Sequence, residues 1–164
     1  MNVLRDFCGV ATAVIVVSAA ASSALAQENT ATYSCQDVGV GPPEPLGDRE
    51  GHSITVGGFS CRIDTGPMKG GVVTGSGIWE WDGTNAVSLA HSSVARMPGA
   101  TVVWQGTDGK LALTMADGKV TGWTGSGKGH LLLATGSAAS QAGKSTTWTG
   151  KSTGPGQFTI EENW

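Results

Sequence analysis

Val72-Val73-Thr74-Gly75-Ser76-Gly77-Ile78-Trp79-Glu80-Trp81-Asp82-Gly83-Thr84-Asn85-Ala86-Val87-Ser88-Leu89 is the stretch on which the fold turns. Its two halves are rich in β-branched and aromatic residues, and Asp82-Gly83 lies between them. Asp-Gly tolerates the positive φ of tight hairpin turns, so this reads as strand, turn, strand. The same dipeptide recurs at Asp108-Gly109 and Asp117-Gly118, and Met97-Pro98-Gly99 supplies a fourth turn.

Strands are predicted over Val72–Asp82, Ala86 to about Arg96, Ala100–Thr107, Lys110–Met115 and Lys119 to about Lys128. His130–Thr135, Thr146–Lys151 and Gln157–Glu161 follow. Upstream, Ile54 and Val56 differ in parity from Phe59, Cys61 and Ile63, with Gly57-Gly58 between them. A β-bulge there would turn both sets to one core; a break into two strands is the alternative. No apolar residues repeat at helical spacing over a useful length, and only Ser137–Ala142 could hold one short turn. The expected fold is all-β: a small antiparallel up-and-down barrel of about eight strands, preferred to a sandwich because closure removes open edges.

The chain opens differently. Val10 to Ala21 is a run of small, apolar or hydroxyl residues behind Arg5, and Ser22-Ser23-Ala24-Leu25-Ala26 has the form of a cleavage site. Residues 1–26 are expected to be a signal peptide, cut before Gln27, since the run is shorter than the roughly 20 residues a spanning helix needs. Residues 27–50 read as an irregular leading segment, because Gly41-Pro42-Pro43-Glu44-Pro45 cannot sit in a central strand. Residues 51–164 form the barrel domain. Cys8 leaves with the leader, so Cys35 and Cys61 are expected to form a disulfide in an exported, periplasmic or secreted protein. Such a bridge closes a loop of about 25 residues, worth roughly 3 kcal/mol.

With 26 Gly, 14% charged residues and a net charge of −3, the composition is that of a turn-rich β-protein. It lacks the dense basic surface that nucleic acid or an anionic membrane requires. No second long apolar stretch follows the leader, so stable membrane insertion after cleavage is not expected.

Two motif matches fail on physical grounds. Ala138, Gly143, Lys144 and Ser145 approximate a phosphate loop, but the residues after them are strand-like where that loop needs a helix. Gly150-Lys151-Ser152-Thr153-Gly154 has the spacing of a nucleophile elbow, yet no histidine follows it and Pro155-Gly156 forbids the required helix. His52, His91 and His130 show no ligand spacing, so no metal, cofactor or catalytic set is assigned. Asp48, Arg49 and His52 form a polar cluster, read as an ion pair capping one barrel end.

Trp79 and Trp81 share one face of their strand, and Ile78 and Glu80 the other. With Trp104, Trp123 and Trp148 the two indoles could line an apolar ligand pocket. Packing of the barrel exterior against itself or a second subunit is the alternative use of so many Trp. If Glu80 faces inward, it needs a partner such as Arg62 or Arg96.

Gly75-Ser76-Gly77-Ile78-Trp79-Glu80-Trp81-Asp82-Gly83, Lys110-Leu111-Ala112-Leu113-Thr114 and Ala134-Thr135-Gly136-Ser137-Ala138 leading to Gly143 resemble a family of short, exported bacterial proteins of uncharacterised role. The last stretch, in the C-terminal half, is also similar to the barrels of plant allene oxide cyclases and dirigent proteins. That resemblance implies an eight-stranded barrel with a cavity and transfers no catalytic residue. Ser145-Thr146-Thr147-Trp148-Thr149-Gly150 is similar to one avidin strand, without the signature that opens avidins.

The functional expectation is an exported, non-catalytic barrel binding a small, partly apolar molecule. The alternatives are a cofactor-free isomerase or cyclase using Glu80 inside the barrel, and an interaction or envelope module that dimerises or docks a partner.

Overall fold

The computed structural model describes residues 29–164. The expected leader, with Cys8, lies outside the described residues. Strand β1 spans Thr30–Val38, β2 Glu44–Pro45, β3 His52–Ile63, β4 Val72–Asp82 and β5 Asn85–Met97. They are followed by β6 Ala100–Ala116, β7 Lys119–Ala134, β8 Ser145–Gly154 and β9 Gln157–Asn163. Antiparallel neighbours run from β3 through β9 in chain order, β9 pairs with β1, and β1 pairs back onto β3. The result is a closed eight-stranded barrel, with the two-residue β2 paired to Ser53 and Ile54 at the start of β3.

The disulfide is the staple of the closing seam. Cys35 of β1 and Cys61 of β3 face each other directly across the ladder and are bonded, with both side chains buried in the barrel wall.

The turns follow their sequence signals where two strands must reverse. Asp117 and Gly118 both take positive φ, 50° and 71°, as a two-residue hairpin with the native twist demands. Asp82-Gly83 also sits at a hairpin, between β4 and β5, with Gly83 at positive φ. Asp108-Gly109 does not turn. Neither residue has positive φ, and β6 continues through them with a register shift beside Thr107 while β7 pairs with both halves. The two predicted pairs of short strands, Ala100–Thr107 with Lys110–Met115 and Lys119–Lys128 with His130–Thr135, are therefore two long strands. Gly109 is buried there under Trp79, Ser88 and His91, so its role is close packing.

Two further expectations need correction. Residues 27–50 are not irregular throughout, because Thr30–Val38 is a barrel strand whose Ala31, Tyr33, Cys35 and Asp37 face inward. Its outward positions are Thr, Ser and Gln beside a Pro-rich run, so the apolar alternation that marks a strand is weak there. Nor does Gly57-Gly58 form a bulge: β3 pairs β4 without a shift from His52–Asp82 to Arg62–Val72. Thr55, Gly57, Phe59, Cys61 and Ile63 thus share the interior, and Val56 is left 57% exposed.

The interior has two parts. At the end carrying the 64–71 connection, Ile63, Met68, Val73, Ala100, Val102 and Leu131 pack into a buried cluster. A 3-10 helix, Gly136–Gln141, plugs that end with Ala138, which is 1% exposed. Gly136 takes positive φ and leaves no room for a Cβ against the Gly99 carbonyl, which seats the plug on the β5–β6 turn. Toward the hairpin end, Phe59, Trp81, Leu113 and Trp123 are only half-buried and surround open space.

Candidate functional site: an aromatic cavity in the barrel

That open space is a cavity of about 390 Å³, within the range that holds small-molecule ligands. Every tryptophan of the chain lines it: Trp79, Trp81, Trp104, Trp123, Trp148 and Trp164. Their inward direction follows from strand parity. In β4 the odd positions face in, which takes Trp79 and Trp81 inward and sends Ile78 and Glu80 outward.

Small residues on facing strands make room for these rings. A Cβ on Gly129 would fall within 2.4 Å of the Trp104 indole, and one on Gly127 within 2.7 Å of Trp148 Nε1. The glycines of β7 are therefore seats for large side chains. This explains the Gly-rich stretch Gly125-Ser126-Gly127-Lys128-Gly129 better than a turn does.

A histidine stands among the indoles. His91 is inward because Leu89 is an extra residue in β5, opposite the register shift between Ile78 and Trp79. Its ring centroid lies 5.5 Å from that of Trp79, 5.0 Å from Trp104 and 6.0 Å from Trp148. Nδ1 is 2.6 Å from Ser88 Oγ. Burial holds its pKa below the ordinary histidine value, opposed by Asp108, which favours the neutral imidazole.

At the plugged end, Tyr33 Oη donates to Glu162 Oε2 at 2.7 Å, and Trp104 Nε1 donates to Thr146 Oγ1 at 2.7 Å. Burial raises the Glu162 pKa above the usual carboxylate range, against the hydrogen bonding of Tyr33 and Thr146. Burial and the neighbouring carboxylate likewise push the Tyr33 phenol far up. Nearer the hairpin end, Trp81 Nε1 donates to Thr55 Oγ1 at 2.9 Å. His91 Nε2, Trp148 Nε1 and Glu162 Oε1 find no partner, and each has less than 1 Å² of accessible surface. They are packed into the wall, out of a ligand's reach.

The rim at the hairpin end is formed by the Pro-rich segment and the β8–β9 turn. Val40, Gly41 and Pro43 line the cavity, and Val40 packs onto Gly57, where a Cβ would meet it at 2.6 Å. Asp37 is exposed at this rim, with its N–H donating to the Gly156 carbonyl at 2.9 Å.

Of the residues singled out in the sequence, Trp79, Trp81, Trp104, Trp123 and Trp148 meet in the cavity. Glu80, Arg62 and Arg96 do not. Arg62 is exposed and pairs with Asp64 at 2.8 Å, and Arg96 reaches Thr74 Oγ1 at 3.5 Å on the outer surface. Glu80 accepts from His52 Nε2 at 2.7 Å, while Asp48 takes Nδ1 of the same ring at 2.5 Å. With a carboxylate at each nitrogen the imidazolium is favoured, and the Asp48 bond, then that of Glu80, raises the His52 pKa. Arg49 joins Asp48 to Asp82 across this cluster. It ties the 39–51 connection to β3 and β4, as the capping reading expects. His130 points outward, 3.2 Å from Ser145 Oγ, so the structure leaves the three histidines apart. Ser152 accepts the Trp123 N–H at 2.9 Å and is occupied in the wall.

Sequence reasoning missed Tyr33, His91, Thr146 and Glu162. The alternation Phe158, Ile160, Glu162 in β9 was the available signal for the last, since it puts the carboxyl on the apolar face.

Among the described residues, no helix is long and apolar enough to cross a membrane. No protein-family model, curated protein or solved structure matches this chain.

Proposed function

We propose that the protein is an exported, non-catalytic barrel, working in the periplasm or outside the cell, that binds a small, largely apolar molecule in its interior. The observation that carries this reading is the convergence of all six Trp on one cavity of about 390 Å³. A core built only for stability fills its space, because voids forfeit both dispersion and transfer energy. Here the buried cluster and the large aromatic faces together border open volume. The disulfide across the closing seam suits an oxidising compartment. A hollow eight-stranded barrel is also what the resemblance to the cyclase and dirigent barrels implies.

The isomerase alternative loses its named acid, since Glu80 lies outside the barrel against His52. The interior carboxyl, Glu162, is engaged with Tyr33 and has no reachable oxygen free. The assembly alternative loses its Trp but keeps an outer apolar row, Val94–Val103–Leu133, across β5, β6 and β7.

Native mass spectrometry of the protein purified from its own source tests the proposal. A reproducible extra mass, released on denaturation, is expected. A clean polypeptide mass that gains nothing on incubation with apolar small molecules would contradict it.

A further inference from the structure

The charges around the cavity are distributed in one sense. Among the described residues that line it there is no Lys or Arg. The two acidic side chains on its surface are Asp37 at the rim and Glu162 at the plugged end. Several of the hydrogen-bonding groups between them pair with one another: Tyr33 with Glu162, Trp104 with Thr146, Trp81 with Thr55 and Ser88 with His91. The unpartnered Trp148 and Trp164 indole nitrogens are buried in the wall. An anion drawn inside would give up its hydration and find no cation to pair with, a cost that apolar contact does not offset. On its way it would also pass the Asp37 carboxylate.

Resting on the ligand-binding reading, we infer that the cavity selects uncharged apolar molecules and rejects alkyl carboxylates of the same length and shape. The ligand class is then a neutral alcohol, ketone, ester or hydrocarbon, and fatty-acid anions are excluded. Selection comes from charge, because the apolar wall itself treats two equal chains alike.

The supporting electrostatics agree with this geometry. Burial raises the Glu162 pKa and lowers that of His91, which favours the uncharged form of each.

The experiment is a competition on the intact protein. Decanol and decanoate are titrated separately against the neutral probe N-phenylnaphthylamine at about pH 8, where an alkyl carboxylate is ionised. Decanol is expected to displace the probe with an affinity at least about tenfold above that of decanoate, a gap of about 1.4 kcal/mol. In Asp37→Asn, an exposed rim substitution, the affinity of decanoate relative to decanol should rise. Equal or tighter binding of decanoate would overturn the charge selection and leave the cavity reading standing. A probe that never binds, with neither competitor shifting the Trp emission, would overturn both.

Discussion

The two halves of this barrel use the same strands for opposite ends. At the plugged end, Ile63, Met68, Val73, Val102 and Leu131 pack into a buried aliphatic cluster that floors the cavity, and the 3-10 helix closes it with Ala138. Toward the hairpins, Phe59, Trp81, Leu113 and Trp123 form a wall around open space. The number of strands is the same throughout, so the difference lies in the side chains. Aliphatics of moderate size interlock and exclude volume. Rigid indoles seated on glycines such as Gly129 form a wall without filling the middle. Buried aliphatic packing is therefore densest at the plugged end, while the aromatic wall of the cavity dominates toward the other.

The sharpest way to break this contrast is to truncate one residue from each half. Leu131→Ala removes a buried side chain from the packed cluster and should cost about 3 kcal/mol in denaturant unfolding. Trp81→Ala removes a larger side chain, but one bordered by empty volume, and should cost about 1 kcal/mol while weakening probe binding. Equal losses at the two sites would mean that the halves are packed alike. Cys35→Ser with Cys61→Ser releases the seam that both halves share and should cost about 3 kcal/mol. Because the bridge acts largely on the unfolded chain, the double variant should retain ligand binding below its unfolding transition.

Gly129→Ala is a smaller perturbation placed on the boundary. The new Cβ would meet the Trp104 ring at 2.4 Å, and the ring is anchored by its bond to Thr146. A loss of about 2 kcal/mol is expected, with a change in Trp emission as the indole moves into the cavity. Unchanged emission would mean that the glycine is not a seat for that ring.

The smallest effect is one of pH. At acid pH the folded and unfolded chains both keep the Glu162 proton. As pH rises through the ordinary carboxylate range, the unfolded chain releases it while the folded chain, with its raised pKa, holds it. Glu162 thus subtracts stability as pH climbs, until the folded-state carboxyl itself ionises. Glu162→Gln keeps an acceptor for Tyr33 and removes that loss. The unfolding midpoints of the variant and the parent should be close at about pH 4 and separate by about pH 7, with the variant the more stable. Parallel profiles would indicate that the carboxyl is not buried as described.

The sequence carried the barrel through local signals. Alternating β-branched and aromatic runs, the true hairpin turns at Asp82-Gly83 and Asp117-Gly118, and the even cysteine count are all properties of neighbouring residues. The errors arose where a tertiary contact decides. Asp108-Gly109 is competent to turn, but a continuous β7 pairs across it. Ile54 and Val56 look like core residues, yet the interior positions beside them go to Thr55, which accepts from Trp81, and to Gly57, which receives Val40. The Trp half of the candidate site was legible because two indoles two residues apart must share a face. Its polar half was not. The facing of Glu80 depended on knowing which parity is inward, and the inward turn of His91 depends on the extra residue Leu89, which no composition or spacing announces.

The central claim, that the indoles enclose a binding site for an uncharged apolar molecule, is tested most directly by following the indole N–H resonances of the isotopically labelled protein during titration with decanol. The account predicts saturable shifts of the indole signals of Trp79, Trp81, Trp104, Trp123 and Trp148, with amides of the outward-facing 117–118 turn unmoved. Indole signals that stay fixed while outer-surface amides shift would place binding on the exterior and contradict it.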